Sequence, residues 1–149
     1  MIGARHLARW WALPARERRL FPFLLLMLAL VSLGLSLLGY RRMLALVERL
    51  GHCRQRHPAT AAELEHARRL AGLLAIAGRR GLPATCLRQA LLLHLLLRRR
   101  GLASQLLLGL RREGGLPAMH AWVELEGTSL DPSPLEHAPF RPTRAGDRD

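Results

Sequence analysis

Cys86, His120 and Asp131 follow one another in an order and setting that suit a sulfur nucleophile. Cys86 opens an apolar helical pattern, T-C-L-R-Q-A-L-L-L-H-L-L-L-R-R-R-G. His120 lies in a strand-like run, A-M-H-A-W-V-E-L-E-G, and Asp131 comes just after the next turn. A helix N-terminus and a nearby imidazole both favour thiolate over thiol, and a carboxylate can orient the imidazole. The chemistry this points to is thiolate attack on a carbonyl carbon, so the chain reads first as an enzyme.

Those residues must be positioned by a helix and a hairpin. Thr85 is the expected N-cap of the Cys86 helix, and Pro83 precedes it. From Ala90 to Leu97 that helix is apolar nearly all round, the mark of a buried central helix. Gly101 ends it. Strands are expected over Ser104 to Arg111 and Ala118 to Leu125, with a third around Ser129 to Asp131. In the second of these, Met119, Ala121, Val123 and Leu125 form the apolar face, while His120, Trp122 and Glu124 share the other. A two-residue turn at Glu126-Gly127 would pair Leu125 with Thr128 and put Asp131 on the His120 face. A three-residue loop would put it on the wrong one.

Each residue has a plainer reading. A free cysteine at a helix start is often a small buried hydrophobe, and His120 alone would be a hydrogen-bonded strand residue. Asp131 before Pro132 fits an ordinary turn. Arg88 and Trp122 are candidate substrate contacts, Arg88 toward a carboxylate, with tying down a loop as its structural alternative. His94, among leucines, reads as a satisfied core histidine. Cys53 stands beside His52, with His57 and His66 nearby, but the spacing lacks the paired thiols of a zinc site. No metal or cofactor is expected.

The 149 residues carry a formal net charge of +12, and every basic residue is arginine. An arginine excess suits an anionic partner, yet here the arginines fall at helix ends, where they are ordinary dipole partners. With 5% aromatic residues there is little to stack on bases, and no nucleic-acid partner is expected. Two cysteines make no disulfide framework, which fits a reducing cytoplasm.

Before the catalytic stretch, Leu20 to Tyr40 contains no charge and is long enough as a helix to cross a bilayer. Trp10, Trp11 and Tyr40 flank it as interfacial anchors would. The rival reading is a helix buried in a soluble domain or against a partner. From residue 41 an amphipathic helix carries Met43, Leu44, Leu46, Val47 and Leu50 and ends near Gly51. The segment 51–58 is a candidate hinge. Thr60 and Glu63 form a T-x-x-E capping box for the next helix, which stops at Gly78 to Gly81. The expected organisation is an N-terminal helical region over 1–57, a catalytic core over 58–135 and a Pro/Arg-rich, frayed tail over 136–149.

The stretch A-T-C-L-R-Q-A-L-L-L-H-L-L-L-R-R-R-G-L-A-S-Q-L-L-L-G-L-R-R, followed by M-H-A-W-V-E and a later Asp, resembles the leader-peptidase (B) proteins of lasso-peptide biosynthesis. The resemblance covers roughly residues 60–135. It implies an α+β, transglutaminase-like (papain-related) core, with the nucleophile on a buried helix packed against a short antiparallel sheet and hydrophobic helices before it. It implies a protease triad of Cys86, His120 and Asp131 that removes the leader from a precursor peptide before a separate cyclase closes the ring. Because no strand-rich segment precedes residue 58, the resemblance is to the split form, which depends on a separate leader-recognition protein. The alternatives are a non-enzymatic, membrane-associated helical protein and a transglutaminase-like acyl transferase on the same core.

Overall fold

In the computed structural model the described residues are 15–52, 56–80, 85–113, 116–131 and 137–139. Cys53, Trp10, Trp11, the Gly114-Gly115 loop and most of the proline-rich tail lie outside them. The first element, α1 (Ala15–Leu50), is two helical arms joined at Gly39, whose φ of 73° and ψ of 169° are not helical. In a straight helix residues 34 and 43 would stand about 13 Å apart along the axis. Instead a Cβ on Gly34 would meet the Met43 sulfur at 2.9 Å, so the chain bends back at Gly39. The bend lets Phe21, Leu24, Leu28 and Val31 of the first arm share one core with Met43 and Val47 of the second.

The next helix, α2 (Ala61–Arg80), begins at the expected capping box. The Thr60 N–H donates to Glu63 Oε2 at 2.9 Å, and the Glu63 N–H donates to Thr60 Oγ1 at 3.3 Å. At the centre lies α3 (Cys86–Arg99), which touches α1, α2 and the first two strands. Its Leu91, Leu92 and Leu97 are fully buried, as an all-round apolar helix requires. Gly101, at φ 82°, stops it. The Gly101 N–H bonds the Arg98 carbonyl and the Leu102 N–H reaches the Leu97 carbonyl, with Leu97 and Leu102 both buried beside the turn. This Schellman ending reverses the chain into the sheet.

That sheet is antiparallel, in the order β3-β2-β1-β4. Strands β1 (Ser104–Glu113) and β2 (Leu116–Leu125) form a hairpin from Ser104↔Leu125 to Glu113↔Leu116, and β3 is Thr128–Ser129. Leu106 and Leu108 of β1 and Ala121, Val123 and Leu125 of β2 supply its core face. The fourth strand, β4 (His137–Pro139), pairs with β1 through Gly109↔Pro139 and Arg111↔His137. The surrounding prolines predict a frayed tail here, and the structure differs. An edge strand tolerates proline, and β4 lies at the edge of the sheet.

The expected hinge is also held in place where it is described. The His57 N–H bonds the Gly101 carbonyl at 3.1 Å, and the Ala59 N–H donates to Glu126 Oε1 at 2.7 Å. At Gly51 a Cβ would sit 2.9 Å from the Arg98 Cβ, so only a glycine permits this approach of α1 to α3.

Candidate active site

The turn between β2 and β3 decides where Asp131 goes. Glu126 and Gly127 both have positive φ, 52° and 75°, the pattern of a two-residue I′ hairpin turn. Leu125 therefore pairs with Thr128 and Glu124 with Ser129, and the Leu130 N–H donates to the Val123 carbonyl at 2.9 Å. One step further along this register, Asp131 comes opposite Trp122 on the face that carries His120. The Asp131 carboxylate (Oδ2) accepts a hydrogen bond from His120 Nε2, and both side chains are largely buried. Burial strengthens such a bond because little water competes for either partner. An Nε2–H held this way fixes the tautomer, so proton exchange falls to Nδ1.

Trp122 lies beside the same imidazole. Its ring stacks on that of His120 at a centroid distance of 6.1 Å and an interplanar angle of 15°. The Trp122 N–H donates to Glu124 Oε1 at 3.1 Å, which fixes the indole. With 3% of its surface exposed, Trp122 is a wall for the imidazole more than an open contact surface.

Cys86 is the first residue of α3 and is partly buried. Thr85 takes the N-cap position in extended conformation, but its hydroxyl makes no cap bond, and its carbonyl instead accepts from the Arg88 and Gln89 amides. The first turn contains no acidic residue. Neither a Thr85 cap bond nor a carboxylate of the helix's own first turn thus competes for its positive end at Cys86. Arg88 stands within the first turn, partly buried.

Lengthwise, α3 is pinned to the sheet by a pair that no sequence pattern marks. His94 Nδ1 and Ser104 Oγ are 2.9 Å apart in the interior, so the expected core histidine finds its partner at the start of β1. Burial, with the Arg98 and Arg56 charges adding, pushes the His94 pKa down to about 4 and keeps the ring neutral. From that pin Cys86 is about 12 Å along the helix. Leu108, opposite Ala121, is about 13 Å along β1. Exposure along β2 agrees, since its core-side face passes from Ala121 at 4% to Met119 at 69%, where helical cover ends. Along the strand direction Cys86 therefore comes near His120, but α3 packs on the face of β2 that carries Ala121, Val123 and Leu125, whereas His120 lies on the other. His120 and Asp131 are bonded directly, and Cys86 is placed by the packing of α3 on the sheet.

Around this centre no group of three or more His, Cys, Asp or Glu could hold a metal among the described residues. Among protein families, the transglutaminase-like superfamily matches residues 27–145, a span that includes all three residues and most of the helical region before them. No curated protein and no solved structure matches the chain.

Proposed function

Since the chain belongs to the transglutaminase-like superfamily, which includes cysteine peptidases and acyl transferases, we propose that it is a cysteine peptidase that removes the leader from a ribosomally made precursor peptide in lasso-peptide biosynthesis. The observation that carries the reading is the buried His120–Asp131 bond, in a chain whose Cys86 opens a helix packed on the same sheet. The finer assignment, to leader peptidases, draws on the likeness of the T-C-L-R-Q-A-L and H-A-W-V-E runs to those proteins.

In this mechanism His120 Nδ1 takes the thiol proton, and the Cys86 sulfur adds to the carbonyl carbon at the leader–core junction. The Cys86 backbone N–H, at the uncapped start of α3, donates to the resulting oxyanion. His120 returns the proton to the leaving amine, the C–N bond breaks, and a thioester to the leader remains. Water, deprotonated by the same imidazole, then releases the leader and restores the thiol. Asp131 holds the ring in one tautomer and stabilises its charge while it carries the proton.

A separate protein that binds the leader would deliver the substrate, and a cyclase would consume the freed core peptide. Tethering raises the effective concentration of the scissile bond at Cys86. The experiment is to incubate the purified chain with a precursor peptide, with and without the leader-binding partner, and follow mass. A single site-specific cut that accelerates with partner supports the reading. Incorporation of an added amine without net hydrolysis would reassign the protein as an acyl transferase.

A further inference from the structure

The first arm of α1 has two apolar faces, and the described residues cover only one. Phe21, Leu24, Leu28 and Val31 are buried in the core. Phe23, Leu26, Leu30, Leu33 and Leu37 recur on the opposite side at alternating three- and four-residue spacing, and all are exposed, Leu37 by 74%. The helix passes the length and composition test for a membrane span, with a mean hydropathy of 2.5 in its most apolar window, only 22% of which is buried. An exposed stripe this long is more than scattered surface leucines.

We propose that this face lies in the headgroup region of an anionic bilayer, with the arm parallel to the membrane plane. Charge selects the occupant. Arg19 stands exposed at one end of the stripe and Arg41 and Arg42 at the other, on a chain of net charge +12. Pairing with a second copy in either direction would set arginine against arginine, whereas anionic headgroups neutralise both ends at once. Folding selects the orientation. A spanning arm would have to strip Phe21, Leu24, Leu28 and Val31 from the core, or draw α3 and the sheet into the hydrocarbon. Lying flat, the arm inserts its outer leucines and keeps its inner contacts. This one-sidedness belongs to the folded protein, since the isolated helix is apolar all round.

The test is flotation of the full chain with vesicles of phosphatidylcholine alone or mixed with phosphatidylglycerol. Binding should require phosphatidylglycerol, weaken several-fold at high salt, and be lost in a Leu26→Ser, Leu30→Ser, Leu33→Ser variant whose circular dichroism is unchanged. Probes on Phe23→Cys, Leu30→Cys and Leu37→Cys, in a background without Cys53 and Cys86, should report one shallow depth. A probe deepest at position 30 would mean that the arm spans, and the proposal would fail. Equal binding to neutral vesicles, no vesicle binding, or a stable dimer abolished by the serine variant would each overturn it.

Discussion

Asp131 accepts a hydrogen bond from His120 Nε2 across a turn only two residues long. If the carboxylate orients the imidazole for proton transfer, Asp131→Asn should keep the fold and lower kcat by roughly 10²- to 10⁴-fold, with a smaller change in KM. Steady-state kinetics beside a thermal melt checks this. A loss confined to stability would make the pair structural.

The turn itself is the next lever. Inserting one residue between Glu126 and Gly127 shifts the β2–β3 register and turns Asp131 away from His120. Cleavage should fall as far as in Asp131→Asn, while the β1–β2 hairpin persists in an amide-exchange map. Retained activity would show that the register does not matter.

The sequence left this turn open between two and three residues, and strand parity showed only that the two-residue form would put Asp131 on the His120 face. The buried helix was legible from the all-round leucines between Ala90 and Leu97. Other features are tertiary and left no local signal. Nothing in the periodicity of β1 marks Ser104 as the partner of His94, since the contact joins a helix to a strand across the core. Proline-rich composition hid β4, which exists because β1 offers it an edge. The bend at Gly39 falls beside the expected boundary between the apolar run ending at Tyr40 and the amphipathic helix from residue 41, but its sharpness, which folds one arm back on the other, left no local mark.

His94 gives the chain a pH dependence of known sign. Its pKa is about 4 when folded, against 6.5 as the ordinary value, so below neutrality the unfolded chain binds the extra proton. The stability from keeping His94 neutral is complete above pH 6.5 and is lost as pH falls toward 4, by up to a few kcal/mol. Glu63, held down to about 2 first by its hydrogen bond to His57 and then by the Thr60 cap, adds in the same direction, its share being lost as pH falls from 4.5 toward 2. Urea melts between pH 7 and 4.5 should show a steep decline that His94→Asn flattens. An equal slope in both proteins would refute the assignment.

Gly39 sits at φ 73° and ψ 169°, a region that is essentially restricted to glycine, with open space around it. Gly39→Ala meets no clash, so its cost should be backbone strain alone, about 1–3 kcal/mol by urea denaturation. A neutral result would mean that the two arms of α1 tolerate another joint.

The most direct measurement is cleavage of a precursor peptide by Cys86→Ala beside Cys53→Ala, each with its delivery partner and each shown folded by circular dichroism. Cys86→Ala should leave the precursor intact, whereas Cys53→Ala should retain most of the wild-type rate. Cleavage surviving the loss of Cys86, or failing equally in both folded variants, would contradict Cys86 as the nucleophile.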